Sequence, residues 1–300
     1  MELNMLTVQY LTACESEKRL DKKTIKAYRI DLRQFSEYII GQAVNFDRDT
    51  IKNYTAYMNQ KFKPSTVKRK IASIRAFVTW LMESRHIKEN PFENLRLKVQ
   101  KPTLLPRVIP LWVIKKMLEA AHKRQQQNPD NTAVLRETAV MEMLFATGMR
   151  VSELSGLETR NIDLKDGVIR IFGKGSKERI AYLGNAEVLE TLRKYAEACQ
   201  PERNGTFFLN SRGKRLSEQS VRNIVRKYGE LVDYPTRITP HMFRHSVATL
   251  LLEEEVDIRY IQRILGHSSI LTTQIYTYVA ETKQREIMEE RHPRNGFSCC

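Results

Sequence analysis

Apolar residues recur at spacings of three and four along most of this chain. Ile25, Tyr28, Leu32, Phe35 and Ile39 fall on one helical stripe, and Val67, Ile71, Ile74, Val78 and Leu81 fall on another. Shorter amphipathic stretches at 8–13 and 51–58 complete a predicted bundle of four helices. Pro64 followed by Ser65 marks the start of the fourth, with Ser65 as its expected N-cap. From residue 90 to 110 the periodicity stops. Pro91, Pro102, Pro106 and Pro110 are interleaved there with Lys98, Lys101 and Arg107, the composition of an extended basic connector. The predicted organisation is therefore a helical domain at 1–98, a linker at 99–110 and a second domain at 111–300.

The second domain also reads as mainly helical. Helices are expected at 111–121, 136–145 and 152–157, with a polar loop at 125–132 and a stop near Gly148. Asp166-Gly167 is a tight-turn signal, followed by a strand at 168–172, a turn at 173–176 and a returning strand at 179–183. Beyond this hairpin come a helix at 186–203, a short strand at 206–209 and a basic helix at 217–228. Thr239 is a good N-cap and Pro240 suits the first helical position. Ala248, Leu250, Leu251 and Leu252 make that helix apolar enough to be packed inside the domain. Ile258, Ile261, Ile264 and Leu265 form one more amphipathic helix, which Gly266 can end in the left-handed conformation. The fold class is mainly α in two domains, a four-helix bundle and a mostly helical domain with a small antiparallel sheet.

Charge adds a partner to this picture. The 300 residues carry a formal net charge of +15 with a pI near 9.7 and are 41% apolar, which suits folded cores and a polyanionic partner. Residues 1–100 hold 19 Lys and Arg against 11 Asp and Glu, which places +8 of the +15 in the first third. Lys63, Lys68, Arg69, Lys70 and Arg75 are expected to form a basic face on or near the fourth helix, and Arg222, Arg226 and Lys227 are expected to reach phosphates from the basic helix at 217–228. No run of about 18 apolar residues and no signal segment is present, so a cytoplasmic protein without a membrane partner is expected. Cys14, Cys199, Cys299 and Cys300 lack metal-ligand or Cys-x-x-Cys spacing and read as reduced thiols.

The candidate chemistry lies late in the chain. His241 and Arg244 are three residues apart, so one helical face aims both at the same spot. His267 stands just beyond Gly266, and Tyr276 follows nine residues later. Arg150 follows a buried helix and needs a partner, which Glu153 can supply either as a structural ion pair or as the carboxylate that orients a phosphate-gripping fork. Lys174 sits at the tip of the expected hairpin. The Gly-Lys-Gly-Ser run there lacks P-loop spacing, and Met242 occupies the position where a His-Glu-x-x-His zinc site at His241 and His245 needs glutamate. Two histidines, two arginines and a tyrosine make a candidate phosphate-handling cluster.

The pattern His241-Met242-Phe243-Arg244, Leu265-Gly266-His267 and Ile275-Tyr276 resembles the C-terminal signature of the tyrosine recombinases, the phage integrase family. Ala146-Thr147-Gly148-Met149-Arg150-Val151-Ser152-Glu153-Leu154 resembles the family's first arginine box, and residues 173–179 resemble its lysine hairpin. No arm-binding domain precedes the bundle, which points to the short, Xer-like branch. One departure is Tyr278, where the family tends to have histidine; it stands as a rival to Tyr276.

The resemblance implies a site-specific recombinase acting on double-stranded DNA with an inverted-repeat core site, in integration and excision or in dimer resolution. It implies that Tyr276 attacks phosphorus in line, forms a 3′-phosphotyrosyl bond and frees a 5′ hydroxyl, and that a partner strand's hydroxyl later reverses the step. Arg150 and Arg244 would hold the charge of the non-bridging oxygens, His241 would act as base and His267 would hydrogen-bond the phosphate. Lys174 would protonate the leaving oxygen. The scheme calls for no cofactor and no metal ion. A homo-tetramer on two DNA sites is implied, with the tail around Ile287 and Met288 docking on a neighbouring protomer, and a second recombinase or accessory protein is left open. Two other classes compete: a non-catalytic DNA-binding regulator, which explains the charge but not the cluster, and a type IB topoisomerase, which shares the chemistry on a larger scaffold.

Overall fold

Leu32, Phe35, Ile71 and Ile74, set on helical stripes by their spacing, are buried together in the core of the first of two units. The computed structural model describes residues 2–42, 46–95, 108–173 and 178–266, and the chain divides into units Met1–Leu104 and Leu105–Cys300. The first unit is built of α1 (Glu2–Ser16), α2 (Lys22–Gln42), α3 (Arg48–Lys61) and α4 (Pro64–Glu83), the four helices expected. Tyr10, Phe35, Tyr54 and Phe77 are almost wholly buried and stack or tilt against neighbouring rings, filling the space between the helices. Asp47 caps α3 through the Thr50 N–H at 2.9 Å.

Two expectations for α4 are corrected. The helix starts at Pro64 with Lys63 as its N-cap and no side-chain cap, so Ser65 is already inside the first turn; proline at the first helical position has no N–H to satisfy, which lets the helix begin without a capping hydroxyl. Lys70 does not belong to an open basic face, and Arg69, though exposed, is tied to the same buried carboxylate. Asp31 of α2 is fully buried and accepts from Lys70 Nζ at 3.0 Å, from Ser73 Oγ at 2.8 Å and from Arg69, and Lys70 itself is only 2% exposed. The charge run is therefore partly an internal ion-pair network that ties α4 to α2.

The second unit contains α5 (Leu111–Gln127), α6 (Thr132–Thr147), α7 (Val151–Ser155), α8 (Ala186–Cys199), α9 (Glu218–Leu231), α10 (Pro240–Glu253) and α11 (Ile258–Leu265) with a small sheet. Helix α6 is its axis. Val134, Leu135, Ala139, Val140, Met141, Met143 and Leu144 are all buried, because α5, α8, α9 and α10 pack around it. The sheet is antiparallel in the order β1 (Ile162–Asp163), β2 (Val168–Phe172), β3 (Glu178–Tyr182), with Ile169 paired to Ala181 and Ile171 to Arg179. Alternation puts Ile169, Ile171 and Ala181 in the core and leaves Phe172, Ile180 and Tyr182 exposed. The short β1 has no counterpart among the expected elements. The strand expected at 206–209 is instead a pair of isolated bridges, Glu158 with Thr206 and Leu209 with Arg215. Helix α5 runs through Gln127, so the expected loop at 125–132 shrinks to its last residues.

Helix boundaries near the site follow their caps. Thr239 accepts from the Met242 N–H, Pro240 opens α10, and Gly148 and Gly266 close α6 and α11 in the left-handed conformation at φ 56° and 65°. The basic helix α9 is largely paired: Arg222 with Glu218, Arg226 with Glu230 and Lys227 with Glu137. No helix among the described residues is long and apolar enough to cross a membrane. Cys14 is buried in α1 and Cys199 half-buried at the end of α8, both free. Most of the predicted linker, the C-terminal tail and Cys299 and Cys300 lie outside the described residues.

Replacing Asp31 by alanine leaves Lys70 and Arg69 without their buried carboxylate. A destabilisation of about 3–5 kcal/mol is expected in urea unfolding of the full chain.

Candidate active site

Sequence places an arginine three residues after the end of α6 and another on the second turn of α10; folding brings them to one place. The buried Arg244, 2% exposed, donates from Nη1 to the Gly148 carbonyl at 2.9 Å and from Nη2 to the Leu265 carbonyl. Arg150 donates from Nη2 to the Gly266 carbonyl at 3.1 Å. Both guanidiniums are thus anchored on the C-terminal end of α11, whose last carbonyls have no partner within the helix and whose dipole favours cations.

The carboxylate of Glu153 completes the frame. It accepts from Arg150 Nη1 at 2.6 Å, from the Arg150 backbone N–H at 2.8 Å and from Arg179 Nη2 at 2.8 Å. The backbone bond is the returning half of a capping box and fixes the start of α7. Burial works to raise the Glu153 pKa, but the bonds from Arg179 and Arg150 outweigh it and hold the carboxyl below its ordinary range. Glu153 is the ion-pair partner of Arg150 and holds its guanidinium in place.

Arg179 carries no motif of its own beyond its place in the hairpin box. It donates from Nε to the Ile264 carbonyl at 2.9 Å and to Glu153. The signal is available in the strand pattern, since Arg179 shares the inward side of β3 with Ala181, and an inward arginine demands a partner.

Two glycines make the close approach possible. A Cβ on Gly148 would stand 2.6 Å from Leu265 Cδ2, and one on Gly266 would stand 3.0 Å from Arg179 Cδ. Both positions also have the positive φ that side chains resist.

On the first turn of α10, His241 lies beside the arginine frame. Its Nε2 is 2.9 Å from Nε2 of His245, one turn on, with the rings crossed at 79°. Burial and the positive fields of Arg244 and Arg150 push the His241 pKa down. Burial, His241 and Arg244 push His245 down to about 4. Both rings are therefore neutral near pH 7, and one N–H is shared between them. Of the six candidate residues the structure brings together Arg150, His241 and Arg244; Lys174, His267 and Tyr276, with the rival Tyr278, lie outside the described residues.

Known proteins resolve what this constellation belongs to. Residues 108–283 match the phage integrase family and residues 7–85 match the phage integrase N-terminal SAM-like domain. The chain belongs to the phage integrase family. This recombinase is 47% identical over 294 residues to a tyrosine recombinase of Agathobacter rectalis, covering 96% of each chain. It is 36% identical over 299 residues to the tyrosine recombinase XerD of Staphylococcus aureus, covering 95% of this chain and 98% of the relative. Its fold is similar to that of the XerH site-specific recombinase bound to palindromic difH substrate in a post-cleavage complex, with a TM-score of 0.76, 23% identity and coverage of 95% and 84%. The recombinase is thus a Xer-like enzyme of site-specific DNA strand transfer, and these relatives lend no support to the regulator or topoisomerase readings.

Gly148→Ala is expected to cost about 1–3 kcal/mol from backbone strain and the Leu265 clash. A thermal melt measures the cost, and DNA strand cleavage should fall further than the melt alone explains, because the anchor for Arg244 shifts with it.

Proposed function

We propose that Arg150, Arg244, His241, Lys174, His267 and Tyr276 form the active site of this recombinase, and that Tyr276 cleaves DNA through a 3′-phosphotyrosyl intermediate. The observation that carries the reading is the pair of guanidiniums anchored side by side on α11 and Gly148 before any substrate arrives. Charge builds on the non-bridging oxygens as a nucleophile reaches phosphorus, and fixed cations aimed there stabilise the transition state more than the ground state. Because the frame is held by Glu153 and by helix carbonyls, the cations need little reorganisation during the reaction.

A phenol has an ordinary pKa near 10, so Tyr276 needs a base or a cationic field. His241, kept neutral by burial and by two arginines, suits the base. In this scheme Lys174 protonates the leaving 5′ oxygen and His267 hydrogen-bonds the phosphate. The 5′ hydroxyl of a partner strand then attacks the phosphotyrosyl bond, releases the tyrosine and restores a phosphodiester, so bond energy is retained and no cofactor is consumed.

The assembly follows from symmetry. An inverted-repeat core site presents the same half-site twice and takes two protomers, and exchange between two sites takes four, hence a homo-tetramer, with the tail around Ile287 and Met288 as the expected docking segment. Double-stranded DNA fits the +15 charge, and action on cellular DNA fits a cytoplasmic enzyme. An accessory protein or second recombinase is compatible with this scheme.

The native site is found by mapping where the purified protein becomes covalently linked to its genomic neighbourhood. On a duplex of that site nicked beside the scissile phosphate, Tyr276→Phe should bind and trap no adduct, whereas an adduct in this variant that is lost in Tyr278→Phe would transfer the role to Tyr278. Arg150→Ala and Arg244→Ala should each raise the cleavage barrier by about 3–4 kcal/mol, measured as single-turnover rates. A general base works only when unprotonated, so activity is kept above its pKa and lost as pH falls through it. With the His241 pKa held below the usual 6.5, the cleavage rate should be level through neutrality and decline only in more acidic buffer. His241→Gln should remove that decline, and a pH–rate profile of both proteins is the check.

A further inference from the structure

The reaction scheme leaves one buried charge of the site unused. Arg179 has a side chain only 9% exposed, and its two bonds go inward, to Glu153 at 2.8 Å and to the Ile264 carbonyl at 2.9 Å. Its stem packs where Gly266 allows no Cβ, so the guanidinium lies beneath the end of α11 rather than on the surface. Such a side chain does not reach DNA phosphate. It does touch both groups that hold Arg150: the carboxylate, and the helix end whose Gly266 carbonyl accepts from Arg150.

The charges explain why a second arginine is there. Glu153 is 4% exposed at its side chain and lies 2.6 Å from Arg150. Alone, that contact is a neutral pair, and the carboxylate would cancel most of the field that Arg150 directs at a phosphate. With Arg179 on the other carboxylate oxygen the triad carries a net charge of +1. Arg150 then keeps the geometric benefit of Glu153 without losing its charge. The bond to Ile264 adds a second effect, because Arg179, Arg244 and Arg150 cap three successive carbonyls at the end of α11 and its C-cap, those of Ile264, Leu265 and Gly266.

We propose that Arg179 is a positioning residue for strand cleavage, which balances the buried Glu153 carboxylate and pins the end of α11 so that Arg150 meets the scissile phosphate as a fixed and uncancelled cation. The proposal rests on the role given to Arg150 above and deepens it. It assigns Arg179 no contact with DNA, so its removal acts on the chemical step and not on binding.

The test uses the full chain and the nicked duplex of its mapped site. Arg179→Gln keeps a polar group but removes the charge; its single-turnover cleavage should slow about tenfold or more, with DNA affinity within about twofold of wild type at matched salt. Arg179→Lys restores the charge beside Glu153 and should cleave within about threefold of wild type. Adding Glu153→Gln to Arg179→Gln removes the uncompensated carboxylate and should recover at least about fivefold of the lost rate, a coupling that a residue serving stability alone does not show.

Wild-type cleavage by Arg179→Gln overturns the proposal, as does a slow, folded Arg179→Lys or a double variant no faster than Arg179→Gln. Should Arg179→Gln fail to fold in a thermal melt, Arg179→Lys decides by itself: fast cleavage with normal binding supports the proposal and slow cleavage with normal binding overturns it. Arg150→Ala, run beside these, separates the two levels. If it cleaves normally the site reading fails, and if it is inactive while Arg179→Gln is normal only the present inference fails.

Discussion

A buried carboxylate that must satisfy two guanidinium groups decides the architecture of the second unit. Glu153 takes hydrogen bonds from Arg150 and Arg179, and those arginines, with Arg244, cap the last carbonyls of α11. Glu153, Arg179 and Arg244 are not tolerable alone in the interior: an unpaired buried carboxylate or guanidinium costs several kcal/mol. Together they satisfy one another and hold three elements in register, the start of α7, the inward side of β3 and the end of α11. Gly148 and Gly266 are the steric condition for that convergence, since any Cβ at either would meet α11 or Arg179.

The same logic recurs in the first unit with no catalytic purpose attached. Asp31 is fully buried and gathers Arg69, Lys70 and Ser73, so a run of basic residues that reads as a DNA-facing surface is in part the stitching between two helices. On α9 the pairing of Arg222, Arg226 and Lys227 with Glu218, Glu230 and Glu137 likewise draws charge inward or along the helix. A net charge of +15 identifies the sign of the partner, but it does not tell which cations are left to meet it.

Preorganisation links the frame to the chemistry. Arg150 and Arg244 are fixed by bonds to backbone carbonyls, and His241 is kept neutral by burial and by the same cations that would stabilise a phosphorane-like charge. Under the proposed roles one arrangement would serve two ends, lowering the barrier at phosphorus and keeping a base unprotonated beside it.

Much of this is legible in one dimension. The 3/4 spacing of Ile25 to Ile39 and of Val67 to Leu81 locates the bundle helices, Thr239-Pro240 and Gly266 locate helix ends, and the boxes around Arg150, His241 and Arg244 identify the family, because caps, turns and short motifs are local properties of the chain. Partnership over distance is absent from local pattern. Ser65 reads as a cap where proline needs none, Lys70 as exposed where Asp31 buries it, and 206–209 as a strand where only isolated bridges form. The strand pattern marks Arg179 as inward-facing but does not name its partners, because these are Glu153, 26 positions earlier, and Ile264, 85 positions later. The order of residues alone thus specifies the elements, the family and the chemical types of the site. Which charges are buried against which is settled by the folded packing, because desolvation and pairing depend on neighbours that no local spacing records.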